Sequence, residues 1–90
     1  MKHPYKIEFD SRVKKDLKSV PSQDIKRIKS AISELSNNPR PSGCTKLKGN
    51  NRDYFRIRVG NYRVIYSIED NILSIIVVRV GHRKEIYKNI

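Results

Sequence analysis

Three arginines in the second half of the chain are placed where they can bind phosphate together. Arg56 and Arg58 alternate with apolar residues, and Arg63 follows a Gly-Asn pair. The guanidinium group is a planar fork of N–H donors that fits two phosphate oxygens, whereas lysine would serve plain solubility equally well. The residue types therefore indicate a surface that recognises phosphate. The simpler interpretation of each arginine alone is a solvated side chain on an exposed strand.

A second group of chemically active residues lies near the C-terminus. His82 and Arg83 directly follow an apolar run, and Tyr87 comes four residues later. A histidine can give or take a proton near neutral pH, and a tyrosine can stack on a base or donate a hydrogen bond. The simpler interpretations are a surface histidine after a turn and a tyrosine packed on the edge of a sheet.

The N-terminal half contains the patterns of one strand and two helices. Residues 5–9 alternate between apolar and polar types, which is typical of a half-buried strand, and Asp10 or Ser11 can cap the helix that follows. Apolar side chains then recur at helical spacing on two stripes, which are Val13, Leu17 and Val20, followed by Ile25, Ile28, Ile32 and Leu35. The sequence therefore predicts a helical hairpin with two apolar stripes.

The C-terminal half contains the patterns of three strands. Residues 53–59 and 62–68 alternate around Gly60-Asn61, a signal for a tight hairpin turn, and residues 72–80 are almost continuously apolar until Gly81 ends the run. Residues 40–51 are predicted to form a loop. The predicted fold is a single α+β domain over residues 1–90, in the order β-α-α-β-β-β with a short tail. Its four-stranded, mainly antiparallel sheet carries both helices on one face.

The hairpin register decides which residues share a face of the sheet. A two-residue loop at Gly60-Asn61 places three apolar pairs on the side of the helices, which are Val59 with Tyr62, Ile57 with Val64 and Phe55 with Tyr66. The opposite side then holds three further pairs, which are Arg58 with Arg63, Arg56 with Ile65 and Tyr54 with Ser67. Like charges directly opposite each other destabilise a sheet, so these arginines call for a compensating anion.

The overall charge agrees with a polyanionic partner. The chain carries 20 Lys and Arg against 9 Asp and Glu, a net charge of +11, and residues 40–63 hold seven of the cations but only one acid. A charge of this size makes RNA, DNA, an anionic membrane or an acidic protein the default partner.

Other features of the composition narrow the setting. A single cysteine, Cys44, excludes an internal disulfide, and no metal-ligand spacing or cofactor motif is present. No apolar run of 18 residues occurs, and the N-terminus lacks the apolar stretch of a signal peptide, so we expect a cytoplasmic protein without metal or cofactor.

Two strings of residues resemble a known family. Residues 54–66 (YFRIRVGNYRVIY) and 77–87 (VVRVGHRKEIY), with the Lys-Leu-Lys-Gly segment at 46–49 before them, are similar to the RelE/ParE superfamily of toxin–antitoxin toxins. The likeness covers essentially the whole chain and is strongest to the RelE-type mRNA interferases. It depends on the ordered combination of segments, since no single short motif is specific.

The resemblance implies cleavage of mRNA on the ribosome, without a metal, by attack of a 2′-hydroxyl on the adjacent phosphate. The family's catalytic positions fall on Arg56, Arg58, Arg63, Arg83 and Tyr87, and RNA-binding residues are expected at Lys46, Lys48, Arg52 and Tyr54. The best-known members have lysine at the first two of these catalytic positions. Because arginine keeps its proton in proteins, we expect His82 to transfer the proton instead.

The resemblance also implies partners and leaves alternatives open. A toxin of this kind acts on the ribosome and mRNA, and a small cognate antitoxin with a DNA-binding half is expected to wrap it in a hetero-oligomer. That antitoxin would cover apolar surface near the helical hairpin and screen the arginines. The main alternative is a ParE-type toxin that inhibits DNA gyrase and does not cut RNA. A plain RNA-binding module is less favoured because the arginine side has Tyr54 as its only strand aromatic, and no membrane binding is expected.

Overall fold

The computed structural model describes residues 4–49, 52–84 and 86. The elements follow one another along the chain as β1 (Lys6–Phe9), α1 (Ser11–Leu17), α2 (Ser22–Leu35), β2 (Thr45–Lys48), β3 (Asp53–Val59), β4 (Tyr62–Glu69), a 3₁₀ turn (Asp70–Ile72) and β5 (Ser74–His82). The predicted α+β class and the order of the helices and main strands are confirmed. Neither described helix has the length and hydropathy of a membrane span.

The sheet has five strands rather than the four predicted. Its order is β1-β5-β4-β3-β2, with β1 parallel to β5 and all other neighbours antiparallel. The additional strand, β2, lies inside the segment predicted as a loop, where Thr45 pairs with Arg56 and Lys48 pairs with Asp53. A four-residue edge strand between segments rich in Pro and Gly has too few alternating residues to be distinguished from a loop by its pattern.

Both helices pack on one face of the sheet, as predicted. Asp10 caps α1 by accepting a hydrogen bond from the backbone N–H of Arg12 at 2.9 Å. The core between the layers consists of buried residues from both stripes and three strands, which are Val13, Val20, Ile28, Ile32, Leu35, Ile57, Val64, Tyr66, Ile75, Val77 and Val80. One side of the sheet is thereby covered by the helices.

The predicted register of the β3–β4 hairpin is confirmed. Next to the turn, Val59 pairs with Tyr62 and Arg58 with Arg63. Further from the turn, the pairs are Ile57 with Val64, Arg56 with Ile65 and Phe55 with Tyr66, as predicted. Gly60 adopts a φ of 59°, a left-handed conformation that a turn with Gly in first position requires and that other residues rarely adopt.

β5 starts and ends later than predicted. Asp70–Ile72 forms the 3₁₀ turn, and the strand continues through Gly81 to His82 instead of ending at Gly81. A register shift between Ile65 and Tyr66 marks a bulge, because Ile65 pairs with Arg79 but Tyr66 pairs with Val77. Gly81 has the appearance of a strand end in the sequence, yet in the structure its lack of a side chain leaves space for the neighbouring Ile86.

Polar contacts at the far end of the sheet connect the N-terminal segment to the β4–β5 turn. Asp70 accepts hydrogen bonds from the Tyr5 hydroxyl at 2.6 Å and from Nη2 of Arg40 at 2.9 Å. These two donors hold the pKa of the Asp70 carboxyl below its usual value, with Arg40 as the larger cause. The Tyr66 hydroxyl donates to the carbonyl of Pro39 at 2.7 Å, which attaches the loop after α2 to the core.

Candidate phosphate-binding site

The side of the sheet away from the helices carries the predicted arginines. Tyr54, Arg56 and Arg58 alternate along β3 with the helix-facing side chains, and Arg63 lies opposite Arg58 on β4. Since directly opposite residues of an antiparallel pair point to the same side, these four residues share one surface. We call this surface, defined by Tyr54, Arg56, Arg58 and Arg63, the arginine face.

Arg58 and Arg63 form the centre of the candidate site. Within residues 4–49, 52–84 and 86, no hydrogen bond or ion pair of the exposed Arg58 guanidinium is found. Nη1 of Arg63 donates to the carbonyls of Gly60 at 3.2 Å and Tyr62 at 2.9 Å. These bonds orient the Arg63 guanidinium. Among the described residues, its Nε and Nη2 donors have no partner, and together they form the side-on fork that binds two phosphate oxygens. The arrangement is two adjacent positive charges that an anion would stabilise.

Arg56 is engaged differently from the other two arginines. Its side chain is half-buried, and Nη2 donates to Oγ1 of Thr45 on β2 at 3.1 Å. Ile65, directly opposite on β4, has no exposed surface. Arg56 therefore lies over an apolar centre of the arginine face and reaches toward the outer strand, away from the pair at the turn.

Arg83 lies at the same end of the sheet as the arginine pair. Its backbone N–H donates to the carbonyl of Asn61 in the β3–β4 turn at 2.9 Å, and its side chain is exposed. Gly81 is opposite Arg63, and a side-chain carbon at Gly81 would lie 2.9 Å from Cδ1 of the buried Ile86. The glycine thus makes room for Ile86 on the side of the sheet that carries Arg63. The predicted catalytic residue Tyr87 lies outside the described residues.

His82 is on the side of the helices. It pairs with Tyr62, and the two rings meet edge to face with centroids 5.8 Å apart. The backbone N–H of Lys84 lies 3.2 Å from Nδ1 and donates to it. Strand alternation therefore does not bring the ring of His82 onto the arginine face, although its backbone is next to that of Arg83.

The two predicted RNA-binding lysines also point away from the arginine face. Lys46 is opposite Phe55 and Lys48 is opposite Asp53, so both share the side of the sheet that faces the helices. Both are exposed, and Nζ of Lys46 forms an ion pair with Asp53 at 3.2 Å. On an outer strand, such lysines are also suited to blocking edge-to-edge association of sheets.

The other two predicted RNA-binding residues, Tyr54 and Arg52, differ in their surroundings. Tyr54 belongs to the arginine face, where it is half-buried opposite Leu47. A side-chain carbon at Gly49 would lie 2.8 Å from the Tyr54 ring, so the ring packs closely on that glycine. Arg52 is exposed and lies 3.9 Å from the carboxylate of Glu69.

One further cation near the turn was not predicted from the sequence. Nη1 of Arg27, on α2, lies 3.2 Å from where a side-chain carbon of Gly60 would be. It also lies 4.0 Å from Asp24 one helical turn earlier. The sequence identifies Arg27 only as a polar position of a helix, because its proximity to the turn depends on how α2 packs on the sheet.

These placements define what the site can do. Arg58 and Arg63 place guanidinium donors beside the β3–β4 turn, and the backbone of Arg83 is hydrogen-bonded to the same turn. Guanidinium groups at these positions can orient a phosphate and stabilise negative charge that develops on it. None of these arginines can act as a general base. Among the described residues, no group of three or more His, Cys, Asp or Glu side chains is close enough to hold a metal ion.

Comparison with known proteins supports one family. The family model for the ParE toxin of type II toxin–antitoxin systems matches residues 7–87. The toxin RelE3 of Methanocaldococcus jannaschii is 46% identical over 86 residues, covering 91% of this chain and 94% of the relative. The mRNA interferase toxin RelE of Escherichia coli is 29% identical over 86 residues, covering 92% and 90%.

The fold is shared with a solved toxin complex. The crystal structure of the archaeal RelE–RelB complex from Pyrococcus horikoshii matches with a TM-score of 0.79 and 29% identity. The match covers 91% of this chain and 98% of that one, so it includes the helical hairpin as well as the sheet.

Proposed function

This chain belongs to the ParE toxin family of type II toxin–antitoxin systems, within the RelE/ParE superfamily, and we propose that it cleaves mRNA on the ribosome. The observation that carries this proposal is the pair of Arg58 and Arg63, which lie directly opposite each other and which, within the part of the chain that the structure describes, keep guanidinium donors that a phosphate could use. The E. coli relative is an mRNA interferase. The protein is then a metal-independent endoribonuclease that inhibits translation.

The reaction needs three chemical tasks. A proton must leave the 2′-hydroxyl, negative charge on the five-coordinate phosphorus must be stabilised, and the departing 5′-oxygen must receive a proton. The 2′-oxygen then forms a bond to phosphorus as the bond to the 5′-oxygen breaks, leaving a 2′,3′-cyclic phosphate and a 5′-hydroxyl. Arg58, Arg63 and Arg83 are suited to the second task because their guanidinium groups stay positively charged.

His82 stays the predicted group for proton transfer. In the neutral ring that accepts a hydrogen bond from Lys84 at Nδ1, the hydrogen is on Nε2. To take the 2′-proton at Nε2, the ring must adopt the other tautomer and give up that hydrogen bond. The ring must also be able to move away from Tyr62, which it contacts edge to face, in order to reach a substrate at the end of β5.

Mapping of RNA ends on programmed ribosomes tests the proposal. Primer extension is expected to stop at discrete positions of the mRNA when ribosomes are present, and the new ends are expected to be a cyclic phosphate and a 5′-hydroxyl. Intact mRNA under these conditions would refute it. The alternative, gyrase inhibition, is favoured by the ParE description of the family model; it predicts DNA damage with intact mRNA in cells that express the protein.

We further propose that a cognate antitoxin covers an apolar groove beside the helical hairpin. Phe9 at the end of β1 is 56% exposed, and beside it lies a groove of about 420 Å³. Its apolar lining is Phe9, Val13, Leu17, Ile28 and Ile32. Lys14 and Lys29 also line it, which favours an amphipathic segment with acidic flanks. The matched Pyrococcus structure is a RelE–RelB complex, and a matched structure from Methanococcus jannaschii is a RelB–RelE antitoxin–toxin complex.

Replacement of Phe9 by alanine is expected to weaken antitoxin binding by about 30- to 100-fold, because an exposed aromatic ring at the centre of an apolar interface is a typical hot spot. Calorimetric titration with the cognate antitoxin measures the effect. Ile72 is the matched control, since it is 72% exposed but lies in the β4–β5 turn. Equal loss for Phe9→Ala and Ile72→Ala, or no loss for Phe9→Ala, would place the antitoxin elsewhere.

A further inference from the structure

The end of β5 extends beyond its neighbour β1. Pairing between these strands runs from Lys6 with Ser74 to Phe9 with Val77, after which the backbone N–H of Asp10 donates to the carbonyl of Val77 at 2.8 Å. The chain then turns into α1, whereas β5 continues to His82. The outer edge of β5 after Val77 therefore has α1 beside it in place of a strand.

Asp16 on α1 supplies the missing hydrogen bond at this edge. Its Oδ2 accepts from the backbone N–H of Val80 at 3.0 Å and from Nε of Arg79 at 2.9 Å, and its Oδ1 accepts from Nη2 of Arg79 at 3.0 Å. The side chains of Arg79 and Asp16 are only 16% and 12% exposed. A carboxylate with this little exposure is favourable because three donors compensate for its lost hydration.

The opposite edge of the same segment is held by β4. Val80 pairs with Val64 and Gly81 with Arg63, and Arg83 donates its backbone N–H to Asn61. The backbone that leads to Arg83 is thus fixed from both edges, by β4 on one side and by Asp16 on the other. The position of the Arg83 backbone relative to the β3–β4 turn therefore depends on both attachments.

We propose that Asp16 is a positioning residue for the phosphate site: through Val80 and Arg79, it fixes the end of β5 so that Arg83 stays at the β3–β4 turn that Arg63 follows. This inference rests on the proposed cleavage of mRNA. Asp16 itself lies on the helix and bonds to Arg79 but to neither Arg58 nor Arg63, so its loss leaves the donors of those two arginines in place. The effect should therefore fall on the rate of the chemical step and not on binding.

The variant Asp16→Ala tests this separation. With toxin added to programmed ribosomes, the maximal rate of cleavage is expected to fall about tenfold, as expected for a misplaced catalytic group, while the toxin concentration at half-maximal rate changes less than twofold. Asp24→Ala is the matched control, because it removes a helical acid with an arginine neighbour and raises the net charge equally. If Asp16→Ala does not fold, Asp16→Asn, which keeps the size and one acceptor oxygen, replaces it, with a smaller loss of rate.

Three results would overturn the inference. They are an unchanged maximal rate in Asp16→Ala, a change only in the toxin concentration at half-maximal rate, or an equal fall in the maximal rate of Asp24→Ala. Amide hydrogen exchange provides a measurement that does not depend on activity. The Val80 amide is expected to exchange faster in Asp16→Ala than in the wild type, and unchanged protection would contradict the proposed contact. Wild-type protein that leaves ribosome-bound mRNA intact would refute the proposed function, whereas faster Val80 exchange would still support the hold of Asp16 on the strand.

Discussion

Replacement of Arg63 by alanine is expected to slow the cleavage of ribosome-bound mRNA by about 100- to 1,000-fold, the usual loss when one oriented donor to a transition-state charge is removed. The carbonyls of Gly60 and Tyr62 hold its guanidinium in place before substrate binds, so little reorganisation is needed. Single-turnover cleavage with excess toxin measures the loss directly. Arg63→Lys keeps the charge but not the fork, and we expect it to recover only a small part of the rate.

Two variants make this result specific. Arg12→Ala removes an arginine of α1 that forms an ion pair with the capping residue Asp10. This variant is expected to cleave at nearly the wild-type rate. His82→Ala tests the proton-transfer role. If His82→Ala cleaves at the wild-type rate while Arg63→Ala does not, that role is wrong and the arginines act without a histidine. Equal losses in Arg12→Ala and Arg63→Ala would indicate a general effect of charge and would contradict a local site at the turn.

The arginine face could be derived from the sequence because a single short turn determines it. Once Gly60-Asn61 closes a two-residue loop, every pair of the hairpin follows, and Arg58 must lie opposite Arg63. The apolar residues of both strands, apart from Ile65, then occupy the opposite side. The information is local, and no knowledge of the remaining fold is needed to obtain it.

The position of His82 could not be derived in the same way. It depends on whether β5 ends at Gly81, and glycine has the same appearance in a sequence whether it stops a strand or makes room for a neighbour. Here the neighbour is Ile86, five residues further along the chain. The bulge in β5, between the pairs Ile65–Arg79 and Tyr66–Val77, also prevents a derivation from the sequence. Its extra residue changes which side of the sheet each later residue of β5 faces.

Contacts between distant parts of the chain were also beyond sequence patterns. Asp16 and Arg79 are 63 residues apart, and Asp16 reads as one polar residue on a helix rich in lysine. Arg27 likewise approaches Gly60 only because α2 crosses the end of the hairpin. Hydrophobic periodicity identifies the face that a helix buries, but it contains no information on which polar side chains lie at the border of that face.

The core that supports the arginine face from behind is expected to be sensitive at Tyr66. This residue has no exposed surface, stacks on Phe55 with ring centroids 5.9 Å apart, and donates its hydroxyl to Pro39. Tyr66→Ala is expected to lower the free energy of unfolding by about 3–5 kcal/mol, as for other large aromatic side chains removed from a core. A domain of this length has roughly 5–13 kcal/mol in total, so urea unfolding should show a greatly lowered midpoint.

Tyr66→Phe separates the ring from the hydroxyl. It keeps the stacking on Phe55 but leaves the Pro39 carbonyl without its donor, which should cost about 1 kcal/mol. If Tyr66→Phe were as unstable as Tyr66→Ala, the hydrogen bond to the loop after α2 would dominate over packing. If both variants unfolded like the wild type, Tyr66 could not lie in the core. The small loss expected for phenylalanine and the large loss for alanine would together show that the ring, packed between the sheet and the helices, holds the hairpin that carries Arg58 and Arg63.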